Sequence, residues 1–370
     1  MTRTREKVRI RADIAAMEAY TPTASLEVFA EQLQRPVAQL IKLDANENPY
    51  GPSAAARAAL ASLDTVNIYP DPEARVLRSM LAGYTGVDAS HILVGAGADE
   101  LIELILQVFI EPGDAIINTP PTFGMYSFDA PLYFARVIDV ERRADFSLDV
   151  EAIETAAYTA DAKLLFLCSP NNPDGSLISP ETVERLLDLP LVVVLDEAYI
   201  EFGGAESLAR RAAASENLIV LRTFSKWAGL AGLRVGYGVF PAGLMAHLWK
   251  IKQPYNLNVA ADAAARASLA DLPALRANVE RIIAQRRRLE RELAAAPYLT
   301  PYPSHSNFVL CRVEGMDAFT LKQRLAQEFG ILIRHYSTPR LRDHVRISAG
   351  TPEQIDALLA ALHALGGNHV

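Results

Sequence analysis

Short apolar runs recur along the middle of this chain, several of them ending abruptly in polar, turn-forming residues. They are Leu164–Cys168, Leu191–Leu195, Leu218–Leu221 and Val235–Phe240, and helical patterns such as Pro180–Leu187 separate several of them. Apolar residues at every position, rather than at alternate ones, suit strands buried on both faces. Upstream, Ile92–Val94 precedes the helical run Leu101–Phe109, and Ala115–Ile117 follows the turn Glu111-Pro112-Gly113-Asp114. Strands alternating with helices predict an α/β fold with a mostly parallel sheet flanked by helices.

The two ends of the chain read differently. Asp13–Gln34 is helical at its ends with a break at Thr21-Pro22, and a turn-rich segment, Leu43–Pro52, follows. Ala260–Ala295 reads as one long helix. Beyond it, Asn307–Arg312 and His344–Ser348 have strand character, and Asp317–Phe329 and Pro352–Leu365 helical character. This pattern predicts a smaller α+β domain completed by the N-terminal segment. With 370 residues the chain exceeds one simple core. The expected division is 1–45 as N-terminal arm and part of the small domain, 46–285 as the large domain, and 286–370 as the small C-terminal domain.

Composition removes several function classes. A net charge of −8 leaves no basic excess to neutralise nucleic-acid phosphates. The cluster Arg286–Arg288 shares a helical run with Glu290 and Glu292 and reads as a solvated face. The two cysteines, Cys168 and Cys311, sit in apolar runs and read as buried strand thiols, not as a disulfide or metal site. The charged start, Met1–Arg11, has no apolar core of a signal peptide, and no run reaches membrane-spanning length. A cytoplasmic protein with no membrane partner is expected.

In an open parallel sheet, ligands sit beyond the carboxyl ends of the strands. Four such ends carry reactive residues: Gly95-Ala96-Gly97-Ala98-Asp99-Glu100, Ser169-Pro170-Asn171-Asn172-Pro173-Asp174-Gly175, Asp196-Glu197-Ala198-Tyr199 and Thr223-Phe224-Ser225-Lys226. Each alone has an ordinary reading: a helix start, a loop, a loop-capping carboxylate, an exposed lysine. Together they bring an acid, an amide, a phenol and an amine to one cleft. The glycine turn offers backbone N–H groups to a phosphate, but Glu100 stands where a dinucleotide fingerprint requires its third glycine. No His or Cys cluster accompanies Asp196, so a metal is not expected. A lysine such as Lys226 in a partly buried cleft has a lowered pKa and attacks carbonyls. Arg234 lies eight residues later, after a Gly-containing loop that permits close backbone approach to a ligand.

These residues resemble a known family. Ser225-Lys226-Trp227-Ala228-Gly229-Leu230-Ala231-Gly232-Leu233-Arg234, Asp196-Glu197-Ala198-Tyr199 and Asn171-Asn172-Pro173-Asp174-Gly175 are similar, in order, to three motifs of the fold-type I pyridoxal-phosphate (PLP) enzymes, class I/II aminotransferases. The resemblance runs from about Tyr20 to Thr351. Leu43–Pro52, Gly97–Glu100, Pro120–Tyr126, Ala19–Pro22 and Arg346–Thr351 further resemble segments of histidinol-phosphate aminotransferases.

The resemblance implies a seven-stranded-type sheet in the PLP-binding domain. It implies Lys226 as the amine that carries the cofactor and shuttles the proton, and Asp196 as the partner of the pyridinium nitrogen. Tyr199 and Asn172 would bond the ring oxygen. Ala98, Asp99, Ser225 and Arg234 would hold the cofactor phosphate, the first two through backbone N–H groups, and Phe123 would stack on the ring. Tyr69 would reach the phosphate of the neighbouring subunit in a homodimer. Tyr20, Asn172, Arg334 and Arg346 would face the substrate, and Arg334 and Arg346 suit both a phosphate and a carboxylate. The expected reaction is ping-pong transfer of an amino group from histidinol phosphate to a 2-oxo acid, 2-oxoglutarate.

Asp174, Phe123, Thr23 and Ala19 depart from the family pattern, where threonine, tyrosine, glycine and proline are usual. Three other readings stay open: an aromatic amino acid aminotransferase, a PLP-dependent threonine-phosphate decarboxylase, and a non-catalytic PLP-binding module.

Overall fold

The computed structural model describes residues 8–20 and 22–366. Thr21, in the expected break, and the first seven residues of the charged N-terminus lie outside them. Among the described residues twelve strands form two sheets. In chain order they are β1 (Ile41–Leu43), β2 (Ile92–Gly95), β3 (Ala115–Asn118), β4 (Arg136–Asp139), β5 (Ala162–Cys168), β6 (Val192–Asp196), β7 (Leu218–Thr223), β8 (Gly236–Val239), β9 (Leu299–Pro301), β10 (Phe308–Val313), β11 (Ile331–His335) and β12 (His344–Ser348).

The larger sheet has seven strands in the order β2-β8-β7-β6-β5-β3-β4. Pairings from β4 through β7 are parallel, and β8 is antiparallel to both its neighbours, β7 and β2. Leu165, Leu167, Val193, Leu195 and Val220 face one apolar layer, and Leu164, Phe166, Val194, Ile219 and Leu221 face the other. Both faces are covered, which is why these runs are apolar without interruption. The expected mostly parallel α/β sheet is borne out.

Strand direction positions the chemistry. β2, β5, β6 and β7 end together at Gly95, Cys168, Asp196 and Thr223, with Cys168 opposite Asp196. The reversed strand β8 starts at this same edge, where Gly236 pairs with both Thr223 and Gly95. Arg234, just before β8, therefore arrives at the edge from the other direction.

The second sheet, in the order β1-β11-β12-β10-β9, makes the smaller α+β unit. The N-terminal segment completes it: β1 runs parallel to β11, with Ile41 opposite Ile331.

Two expectations need correction. The single helix 260–295 is two helices, Val259–Ala270 and Leu272–Ala294, broken at Asp271 (φ −119°, ψ 44°). Pro273 lies in the first turn of the second helix; it has no N–H to donate, and its ring would clash with the preceding turn of an unbroken helix. Arg286 is not on a solvated face. It falls on the stripe of Ile282 and Leu289, is buried, and donates to the carbonyls of Phe202 (3.2 Å) and Ser306 (3.1 Å). The same helix serves two cores: Leu275, Val279 and Ile282 pack under the large sheet, and Leu289 and Leu293 against the small one.

Cys168 and Cys311 are both free and buried. Among the described residues no helix is long and apolar enough to cross a membrane, and no cluster of His, Cys, Asp and Glu is placed to hold a metal ion.

Candidate active site

A cleft of about 1120 Å³ opens beside the carboxyl edge of the large sheet, walled on its other side by β11, β12 and the segment between them. Tyr20, Phe123, Asn172, Tyr199, Lys226, Arg334 and Arg346 all line it. The structure thus gathers residues from positions 20 to 346 into one site.

Lys226 follows β7 in a tight turn in which Ser225 N donates to Thr223 Oγ1 (3.0 Å). Its ammonium donates to the Ala45 carbonyl (3.3 Å). Burial first, then the nearby Arg346 guanidinium, pushes the lysine down to about 8. Gly229 (φ +69°) pins this turn: a Cβ there would lie 2.5 Å from the backbone of Gly51, so the lysine loop and residues 43–52 touch backbone to backbone.

Asp196 is the last residue of β6 and is buried. Oδ1 accepts from Ala198 N (2.9 Å) and Oδ2 from the Tyr126 hydroxyl (2.7 Å). Burial pushes the carboxyl up to about 6 against those two hydrogen bonds. Tyr199 is buried, and its hydroxyl accepts from Asn46 Nδ2 (3.0 Å). Burial raises its pKa above the ordinary phenol range, so it stays a neutral donor.

At one end of this group the glycine turn opens the helix Ala98–Phe109, with Gly97 at φ +85°. Arg234 Nη2 pairs with Asp99 Oδ2 (2.7 Å), and Nη1 reaches Ser225 Oγ (3.4 Å). A Cβ on Gly236 would sit 2.6 Å from the Ala98 nitrogen, so β8 lies directly against the start of the helix. Ala98, Asp99, Ser225 and Arg234 therefore form a cradle of helix-end amides, a hydroxyl and a guanidinium, a donor set for a phosphate. Glu100, the residue that breaks the dinucleotide fingerprint, accepts from Ala96 N (2.5 Å) and Asn256 Nδ2 (2.8 Å) and so braces the turn itself.

At the other end, Arg334 on β11 lies directly opposite Arg346 on β12. Arg346 is buried, donating to Asn172 Oδ1 (2.5 Å) and to the Asp44 carbonyl (2.7 Å). Arg334 lies over the ring of Tyr336. Like charges opposed in a sheet repel, and among the described residues neither arginine has a carboxylate partner. Such a pair can take up an anion from outside.

Tyr69 is placed elsewhere. It is 79% exposed, stacks on Tyr255 with ring centroids 4.5 Å apart, and does not line the cleft of its own chain. Asp174, the departure in the asparagine loop, is buried. It accepts from Asn171 Nδ2 and from Ser176 N (2.9 Å), closing the loop that presents Asn172.

Tyr126, Asn46, Arg142, Tyr336 and Arg340 also stand at the site, without a role expected from the sequence. Tyr126 had a signal, three residues after Phe123 in the segment 120–126. Asn46 (φ +56°) holds Tyr199 and accepts from Ser348 Oγ (3.1 Å), contacts that no local pattern announces.

A sequence profile of aminotransferase class I and II matches residues 38–362. The chain belongs to the class I and II aminotransferases. This aminotransferase is 52% identical over 361 residues to histidinol-phosphate aminotransferase of Roseiflexus castenholzii (strain DSM 13941 / HLO8), covering 95% of this chain and 97% of the relative. The crystal structure of histidinol-phosphate aminotransferase from Sinorhizobium meliloti in complex with pyridoxal-5'-phosphate is similar with a TM-score of 0.90 at 29% identity, covering 98% of both chains. L-threonine-O-3-phosphate decarboxylase from Porphyromonas gingivalis has a TM-score of 0.78 at 27% identity, covering 88% of this chain and 99% of that one.

Proposed function

We propose that this aminotransferase uses PLP to transfer the amino group of L-histidinol phosphate to 2-oxoglutarate, giving imidazole acetol phosphate and glutamate in histidine biosynthesis. The observation that carries the substrate reading is the opposed pair Arg334 and Arg346, set for an anionic substrate group at the far end of a cleft that begins at Lys226. The 52% identity to a histidinol-phosphate aminotransferase supports it.

The residues fit PLP. Lys226 is a lysine of lowered pKa lining the cleft. Asp196 is a buried carboxylate at the strand end, and the cradle at Ala98, Asp99, Ser225 and Arg234 has the donors a phosphate needs. When bound, PLP supplies an aldehyde for the amino group and a ring that withdraws electrons from the substrate carbon.

The chain's own residues then have separable tasks. Lys226 would hold the cofactor and, as a free amine, would move the proton on the substrate carbon. Asp196 would keep the ring nitrogen protonated. Tyr199 and Asn172 would bond the ring oxygen, with the Tyr199 hydroxyl fixed by Asn46. Phe123 would cover one face of the ring. Arg346 and Arg334 grip the anionic ends of donor and acceptor, with Tyr20 at the rim. A cytoplasmic homodimer is part of the same proposal, with the exposed Tyr69 reaching the phosphate of the neighbouring site.

A second reading, decarboxylation of a phosphorylated amino acid, is favoured by one observation: the likeness to L-threonine-O-3-phosphate decarboxylase extends over most of this chain. The same arginine pair suits both substrates. The test is the visible absorbance of the PLP-loaded protein. A band that changes on adding histidinol phosphate and recovers with 2-oxoglutarate supports the transaminase. No response to histidinol phosphate, with carbon dioxide released from phosphothreonine, overturns it in favour of the decarboxylase.

A further inference from the structure

Tyr126 touches two of the groups assigned to the cofactor ring, Asp196 and Phe123. Its hydroxyl donates to Asp196 Oδ2 at 2.7 Å. Its ring meets Phe123 edge-on, with centroids 5.5 Å apart and planes at 81°. On its other side it stacks on Phe166 of β5 at 5.0 Å and 15°. The side chain is fully buried and sits in the short helix Met125–Asp129. Phe123 and Tyr126 lie three residues apart, so one turn of chain presents a ring to cover the cofactor's face and a phenol to meet its counter-ion.

The chemistry of this contact has a definite sign. Asp196 has two hydrogen-bond donors, Ala198 N on Oδ1 and Tyr126 on Oδ2. Together they fix the plane of the carboxylate. A donor to a carboxylate stabilises its charged form and makes it a weaker base. The Asp196 carboxyl is already driven upward by burial, and the phenol opposes that drive. The phenol is itself held neutral by burial and by the adjacent carboxylate.

We propose that Tyr126 is a positioning residue that decides where the proton between Asp196 and the cofactor ring nitrogen resides. By donating to Oδ2 it keeps Asp196 a weak enough base to leave that proton on the ring, and by packing on Phe123 it fixes the ring's height above the strand edge. Without the phenol, the proton moves from the ring nitrogen to the Asp196 oxygen, and the ring loses its electron-withdrawing charge. The proposal rests on the PLP reading of the site.

The test uses the full-length protein loaded with PLP labelled with nitrogen-15 in the ring. In the unaltered protein the ring-nitrogen resonance is expected at its protonated position. In Tyr126→Phe it moves toward the unprotonated position, cofactor affinity falls about tenfold, and kcat falls about tenfold with KM nearly unchanged, the scale of one hydrogen bond to a charged group. 3,5-Difluorotyrosine placed at position 126, a stronger donor of almost the same shape, keeps the resonance at the protonated position to higher pH. This second variant carries the test if Tyr126→Phe folds poorly. A resonance unmoved by either change, with affinity within twofold, overturns the role of Tyr126 and leaves the PLP reading standing. An unaltered protein that takes up no PLP overturns that reading.

Discussion

Arg234 Nη2 donates to Asp99 Oδ2 over 2.7 Å, and the guanidinium lies so close to Gly97 that a Cβ there would come within 2.5 Å of it. Both partners of the ion pair are nearly half exposed, so the pair contributes little to folding, about 0–1 kcal/mol. Its value is in aiming Arg234 across the start of the helix. Asp99→Ala is therefore expected to leave thermal stability almost unchanged. Gly97→Ala must displace Arg234 and strain a residue at φ +85°. It is expected to weaken PLP binding at least tenfold, on the scale of a charge-assisted hydrogen bond, as read by titration of the cofactor-free protein.

The two central ionisable groups destabilise the cofactor-free protein, and pH separates them. The Asp196 carboxyl is raised from 3.8 to about 6, so the folded state binds more protons in that window and stability falls as pH rises through it. Lys226 is lowered from 10.5 to about 8, so the unfolded state binds more protons in that window and stability rises with pH across it. At pH 7 both groups are held in their costly forms. Asp196→Asn and Lys226→Met are each expected to stabilise the cofactor-free protein by about 1–3 kcal/mol, the lysine less because it opens to the cleft. Both variants lose transamination, Lys226→Met completely. Denaturant titrations at pH 5, 7 and 9 together with a turnover assay check this; equal stability at pH 7 would contradict it.

Among the described residues Arg346 Nε is buried without a partner, while its two Nη atoms are held by Asn172 and Asp44. A lysine cannot keep that fork. Arg346→Lys is expected to lower kcat/KM by about 10- to 100-fold, the range of one to two kcal-scale charged hydrogen bonds. Arg334→Lys, on the more open side of the pair, should cost less. Steady-state kinetics with each substrate varied in turn decide the order.

Arg340, between β11 and β12, reaches across the mouth of the cleft. It donates to the carbonyls of Arg142 and Arg143 and lies 5.3 Å over the Phe146 ring. It ties the small unit to the segment after β4 without touching Lys226 or Asp196. Arg340→Ala is expected to raise KM about threefold to tenfold, the scale of one lost net hydrogen bond, with kcat within about twofold. Arg340→Lys should restore part of the loss. A fall in kcat at constant KM would place Arg340 in the chemistry instead.

The strand ends at Gly95, Cys168, Asp196 and Thr223 were legible because a strand buried on both faces must be apolar throughout, and the chain must turn where that run stops. β4 was not: Arg136 and Asp139 are exposed at the sheet edge, and the run between them is too short to stand out. The helix Arg75–Thr85 starts after Ala74 in a left-handed conformation with no side-chain cap, so its boundary carried no signal. In the site, Lys226, Asp196, Tyr199 and Asn172 sit in compact motifs. Asn46 works through Tyr199, Ser348 and Asn307, and Arg340 through backbone carbonyls, Glu141 and the Phe146 ring, all nearly two hundred positions away. Contacts of that range leave no local pattern to read.

The pairing of Ile41 with Ile331, and the bond from Asn46 N to Ser348 Oγ, bear on how such a protein is made. A chain leaving the ribosome can assemble the seven-stranded sheet and its helices well before position 331 exists. Until then β1 has no neighbour, the bonds from Arg346 to the Asp44 carbonyl and between Asn46 and Ser348 cannot form, and the arginine pair has not been translated. Loop closure over such a separation is slow, so catalytic competence is the last property a newly synthesised copy acquires.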